Sequence, residues 1–177
     1  MYFSKFPKIF YDLSGDKNFK LVTDLLRRVK VRARILDEVT LYDLYDVIDG
    51  DTPESLAFKH FGNTELHWVI LITNNVIDRF YDWPLTVEQF EAYISDKYTN
   101  PDGIHHYEKA QSSGNTSGEG PSDYSHLIEV NSTTSGATSV SNREYEQRIQ
   151  DKKRQIKILN AAFLPVFIDE FENLINE

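Results

Sequence analysis

Five carboxylates crowd one short stretch of this chain: Asp43, Asp46, Asp49, Asp51 and Glu54. Two carboxylates facing each other across a cleft could hydrolyse a glycosidic bond, one as acid and the other as base or nucleophile. The same residues also suit a solvated turn leading into a helix, where acidic side chains complement the positive end of the macrodipole. That second assignment is the one adopted, so no catalytic residue is expected. His105 and His106 are the other chemically suggestive pair. Adjacent residues on an extended segment project to opposite sides, and the chain has no Cys. No metal or cofactor site is therefore expected, nor any disulfide or thiolate nucleophile. A cysteine-free chain fits a reducing compartment.

Arg27, Arg28, Lys30, Arg32 and Arg34 form the strongest positive patch. They suit a solvated strand face or a contact for an acidic neighbour. The formal net charge of −9 argues against a nucleic-acid binder, which needs a basic surface. The longest clean apolar run, Trp68 to Ile72, is far too short to span a bilayer. Met1 to Leu13 lacks the continuous apolar core of a signal peptide. Eleven Phe, ten Tyr and two Trp in so polar a chain favour large contact surfaces.

The elements around these residues can be read from pattern. Leu41 to Ile48 is rich in Tyr, Leu, Val and Ile and suits a strand. Gly50 can take the positive φ that closes a turn. Thr52 is a good N-cap, Pro53 fits the first helical position, and Gly62 ends the helix. Leu56, Ala57, His60 and Phe61 share one face of that helix. Asn63 or Thr64 can cap the next one. There Leu66, Val69, Ile70 and Thr73 line one side and Trp68, Leu71 and Ile72 the other, so the helix is buried on both sides, one of them against something outside the small domain.

Elsewhere the pattern is less regular. Residues 1–20 read as an extended arm, followed by a short helix to about Arg28 and a strand over the alternating Val29–Ile35 segment. Ile77 to Leu85 is an aromatic loop. Thr86 caps a helix with Val87, Phe90, Ile94 and Tyr98 on one face. Asn100-Pro101-Asp102-Gly103 is a stop. Residues 110–142 are mostly Ser, Thr, Gly and Asn, too polar to offset their ordering entropy. Islands at Tyr124 and at Leu127–Val130 could pair with Ile104–Tyr107. Asn142 starts a charged helix to about Lys153, with Glu144 and Arg148 at i and i+4. Arg154 to Leu159 continues it or forms a strand. Phe163, Phe167, Phe171 and Leu174 mark a last helix, with Pro165 near its start.

The stretch Gly50-Asp51-Thr52-Pro53, Leu56-Ala57, Phe61-Gly62-Asn63, Leu66, Trp68 and Asn74-Asn75 resembles the first three elements of a LysM domain, a small β-α-α-β binding module. Leu66-His67-Trp68-Val69-Ile70-Leu71, Phe80-Tyr81-Asp82-Trp83 and the tail Arg154-Gln155-Ile156-Lys157-Ile158-Leu159 extend the likeness. Together they resemble the LysM-containing baseplate wedge subunits of contractile-tailed bacteriophages. The resemblance implies a structural, non-enzymatic protein made in the host cytoplasm and built into the virion. It implies contacts with other wedge proteins, including the lysozyme-like sheath initiator, in multiple copies around a six-fold ring, with neither nucleic acid nor membrane as partner. A LysM module binding N-acetylglucosamine polymers such as peptidoglycan is the alternative. An ordinary LysM domain turns directly from its second helix into the closing strand. Here Ile77–Leu85 takes that place, leaving the closing strand, and a glycan groove against it, open.

The expected fold is α+β. It comprises an arm with helix and strand (1–36), a LysM-like domain with its following helix (37–99), a low-complexity loop with a possible hairpin (100–142) and a helical extension (143–177). The expected contact residues are Trp68, Phe80, Tyr81, Trp83, Arg32, Arg34, Phe167 and Phe171. Trp68 suits core and interface equally. Trp83, in a loop beside Pro84, suits an interface better, since loops carry function and Trp is enriched at hot spots. Phe167 and Phe171 anchor the last helix on the domain or on a partner.

Overall fold

The computed structural model describes residues 2–31, 40–111 and 127–176. Its strands are β1 (Lys8–Tyr11), β2 (Lys20–Thr23), β3 (Tyr42–Asp46), β4 (Ile104–Ala110), β5 (Leu127–Val130), β6 (Thr138–Ser141) and β7 (Gln155–Leu159). Its helices are α1 (Pro53–Phe61), α2 (His67–Thr73), α3 (Arg79–Asp82), α4 (Val87–Lys97), α5 (Asn142–Arg154) and α6 (Leu164–Asn176). The fold is α+β, as expected. Two compact units form, one from Met1–Pro84 with Lys153–Glu177 and one from Leu85–Lys152. The segment 143–177 is thus divided between them.

The first unit is built on β3, α1, α2 and β7. The Thr52 hydroxyl accepts from the Ser55 N–H at 3.1 Å and the Ser55 hydroxyl accepts from the Thr52 N–H at 2.9 Å, a complete capping box around Pro53. Gly62 ends α1 at φ 71°, where a Cβ would be strained, and its N–H bonds the Phe58 carbonyl. Asn63 caps the 3-10 turn Thr64–Leu66 that leads into α2. Leu56, Val69 and Ile70 are fully buried, and each contributes roughly 2 kcal/mol through the apolar area it removes from water.

The strand that closes this unit comes from far along the sequence. β7 pairs antiparallel with β3, setting Tyr42 opposite Leu159 and Tyr45 opposite Ile156. Of the segment Arg154 to Leu159, Arg154 therefore ends α5 and Gln155 to Leu159 resolves as a strand. Ile156 and Ile158, two apart, point into the core with Val47, Leu56, Ala57, Ile70 and Trp83.

The other side of α2 is also covered from within the chain. Trp68, Val69, Tyr42 and Leu159 form a second cluster with Phe6, Phe171 and Ile175. Trp68 lies 4.6 Å from Phe171 and 5.4 Å from Tyr2 between ring centroids, within the range where aromatic pairs add to plain burial. The element expected to meet the second face of α2 is thus α6 together with the chain's own first residues. Lys5 pairs with Glu172 at the rim.

The segment after the arm differs from expectation. Lys20–Thr23 is a strand paired with β1, not the start of a helix. Leu21, Leu25 and Leu26 suggested a helical face, and cross-strand pairing with Lys8–Tyr11 overrides that weak local signal. The strand expected up to Ile35, with Arg32 and Arg34, falls mostly outside the described residues, as does the island at Tyr124.

The second unit holds α4, the sheet β5-β4-β6 and most of α5. Thr86 caps α4, whose Phe90 and Ile94 are buried. β4 pairs with β5, setting Tyr107 opposite Val130, and on its other side with β6. Glu146 on α5 is buried and takes bonds from Lys97 Nζ at 2.6 Å and the Tyr98 hydroxyl at 2.8 Å. Burial works to raise the Glu146 pKa, and its bonds from Lys97 and Tyr98 outweigh this and hold it low. The same partnership drives Lys97 well above its ordinary range.

Candidate interaction surface

The acidic stretch is engaged in holding turns. Asp51 accepts from the Tyr45 hydroxyl at 2.8 Å and the Ile48 N–H at 3.2 Å, which fixes the turn at Gly50 (φ 84°). Glu54 is paired with Arg79 at 2.6 Å. Asp43 and Asp46 point to solvent from β3. These partners leave Asp51 and Glu54 as braces rather than an acid and base facing a cleft.

The loop after α2 is built outward from these braces. Asp78 caps α3 by accepting from the Phe80 N–H at 2.8 Å. Asp82 takes the N–H groups of Ile77 and Asp78, both at 3.0 Å. Those backbone bonds lower the Asp82 pKa, Asp78 contributing most. Arg79 ties α3 to α1 through Glu54, and Lys153 donates to the Tyr81 carbonyl. On this braced single turn Phe80 is 83% exposed and Tyr81 76% exposed. Two aromatic rings held in water on a fixed backbone lose little further freedom on binding, which suits a contact surface.

The remaining sequence candidates divide by burial. Trp83 was expected to face a partner. Instead it is buried among Leu56, Ile70 and Ile156, and its indole N–H donates to the Asp51 carbonyl at 3.1 Å. Its partner lies on a different turn, so sequence alone gave no sign of it. Trp68 is buried as well. Phe171 packs on Trp68 inside the chain, so the last helix anchors on its own domain. Phe167 is half-buried, 6.3 Å from Trp68, and lines a groove of about 600 Å³ with Ile72, Val166 and Arg28. Arg32 and Arg34 lie outside the described residues. Arg27 reaches Asp24 at 3.3 Å and the Ile175 carbonyl at 3.2 Å.

Two features escaped the sequence patterns. A register irregularity in β4 between Ile104 and His106 breaks the alternation that would separate His105 from His106. Their Nδ1 atoms lie 2.9 Å apart, and His105 stacks on Tyr145 at 3.9 Å. Among the described residues no three His, Cys, Asp or Glu side chains are grouped to hold a metal ion. The second feature is Asn74, whose side chain bridges α2 and β7. The Asn74-Asn75 pair is visible in the sequence, but its target is not. Among the described residues no helix is long and apolar enough to cross a membrane.

The matched region of the chain takes in this surface. Over 59 residues the chain is 34% identical to "Baseplate wedge protein gp53" of Enterobacteria phage T4, a stretch that is 33% of this chain and 30% of that protein. The chain thus spans well under half the length of this relative. A family model described as "Base plate wedge protein 53" matches residues 1–106, which include β1 to α4 and both exposed aromatic rings. With more than half its length matched in this way, the chain belongs to the base plate wedge protein 53 family.

Proposed function

We propose that this chain is a non-enzymatic structural subunit of a phage tail baseplate wedge and that it joins neighbouring wedge proteins through direct protein contacts. The observation that carries this is the braced pair Phe80 and Tyr81, exposed on a fixed turn inside the region that the wedge family matches. The order β3-α1-α2-β7, with its two strands antiparallel, supports a LysM-like module interrupted before its closing strand. On this reading the protein is made in the host cytoplasm and ends in the virion. It stands in multiple copies around a six-fold ring, and the lysozyme-like sheath initiator is among its neighbours. Arg32, Arg34 and Phe167 join the exposed rings as contact residues.

The test is mass spectrometry of purified tails after chemical cross-linking, with particles carrying Phe80→Ser and Tyr81→Ser compared in parallel. Recovery of the chain with baseplate proteins, and loss of cross-links near the two rings in the variant, is the expected result. Absence from the particle, with retention of the free chain on insoluble peptidoglycan or chitin, would replace this reading with a glycan-binding module.

A further inference from the structure

The β1–β2 hairpin is a two-stranded sheet whose residues are all exposed or at most half-buried. Phe10 and Leu21 stand opposite each other across its strands, so they share one face. Phe10 is 73% exposed and Leu21 55% exposed, and Leu26, just beyond β2 in the chain, is 94% exposed. An isolated hairpin is marginal in water, and a cluster of large apolar side chains in solvent marks a contact surface. The hairpin loop is nevertheless fixed. Asp12 accepts from the N–H groups of Gly15 and Lys17, both at 2.8 Å, and of Ser14 at 3.1 Å.

Charge points to what covers it. The hairpin Lys8–Thr23 carries three Lys and two Asp, and both Asp lie in its loop rather than on its strands. Lys8 and Lys20 lie on the two strands themselves. The complementary surface is on the same protein. β3 pairs with β7 on one side and, among the described residues, no strand pairs with its other edge. That strand and its exit carry Asp43, Asp46 and Asp49, together with Leu44 (83% exposed) and Ile48. An open edge is a template for a further strand. Here it is acidic with apolar side chains, and the two strands of the hairpin, KIFY and KLVT, carry two Lys and no Asp or Glu beside their apolar side chains.

We propose that the β1–β2 hairpin of one copy of this chain docks head to tail along the edge of β3 that no described strand pairs with, on a second copy. Main-chain pairing and the Phe10–Leu21 face supply the contact. The lysines of one copy against the aspartates of the other set its direction. The net charge of −9 opposes association of whole chains, so the local match must overcome it, and salt will weaken the contact. This contact does not rest on the baseplate reading, and a chain absent from particles could still show it.

The experiment is sedimentation velocity of the full chain over a concentration series at low and high salt, with three variants. Concentration-dependent association that weakens with salt is expected. Phe10→Asp/Leu21→Asp weakens it about tenfold or more, as loss of central apolar anchors does. Lys8→Glu/Lys20→Glu and Asp43→Lys/Asp46→Lys each fail to associate alone and regain association when mixed. All three change exposed positions, and circular dichroism confirms that each remains folded. A wild-type chain that stays monomeric throughout, or charge variants that do not rescue each other, overturns the proposal. Binding of the monomeric chain to phosphatidylserine vesicles would overturn it in favour of a membrane contact.

Discussion

The side-chain amide of Asn74 and the backbone of Lys157 exchange two hydrogen bonds. Nδ2 donates to the Lys157 carbonyl at 2.8 Å and Oδ1 accepts from the Lys157 N–H at 2.7 Å. Nδ2 also donates to the Ile70 carbonyl at 2.9 Å. The amide thus behaves like one residue of a third strand and satisfies the edge of β7 that β3 does not reach. Asn74→Ala should cost about 2–3 kcal/mol, because it removes the amide that bonds the half-buried Lys157 N–H and C=O. Urea unfolding of the purified chain measures this. A loss below about 0.5 kcal/mol would mean that water replaces the amide.

Trp83 and its neighbours Phe80 and Tyr81 should separate cleanly. Trp83→Ala should destabilise the fold by about 3–5 kcal/mol through the cavity it leaves. Trp83→Phe should lose about 1 kcal/mol with the bond to the Asp51 carbonyl. Phe80→Ser and Tyr81→Ser should stay within about 0.5 kcal/mol of the parent. Thermal melts of the four variants rank them.

The second unit should be acid-sensitive. Two bonds from Arg148, at 2.7 and 2.8 Å, lower the Glu108 pKa, and Glu146 is lowered as well. A carboxylate held below its ordinary value of 4.5 stabilises the fold above that pH. The contribution disappears as pH falls through the lowered value. Stability should therefore be flat near neutrality and decline below about pH 4.5. Glu146→Gln should flatten the decline, read by chemical denaturation across the pH series.

Thr73 offers the opposite case. It is 1% exposed and its hydroxyl has no hydrogen-bond partner among the described residues. Thr73→Val keeps the shape and removes a buried polar atom, so it should be neutral or stabilising by up to about 1 kcal/mol. A loss of stability in the melt would reveal a partner, such as a buried water.

The sequence was most legible where its signals were local. Thr52, Pro53, Gly62 and Asn63 set the ends of α1 and the entry to α2 within a few residues of their targets, and the structure uses each in that way. Thr86 and Asn142 likewise begin helices where expected. Legibility failed where the partner is distant. Gln155–Leu159 is as compatible with helix as with strand until β3 is beside it. Trp83 looks like a surface residue until the Asp51 carbonyl meets its indole. Leu21 looks helical until Phe10 lies opposite. The His105–His106 contact depends on an irregular register that no alternation rule contains.

The pairing of Tyr42 with Leu159 also imposes an order in time. As the chain leaves the ribosome, β3, α1 and α2 emerge early but lack both the closing strand and the helix that covers Trp68. The Leu85–Lys152 unit has all its own parts and can fold while the first unit waits. The core around Ile70 closes only when Ile156 and Ile158 arrive, and Trp68 is covered only when Phe171 follows. A prematurely ended chain would therefore carry two exposed apolar surfaces and be open to proteolysis. Completion of synthesis becomes the step that commits the protein to a durable form, before any copy is built into a larger assembly.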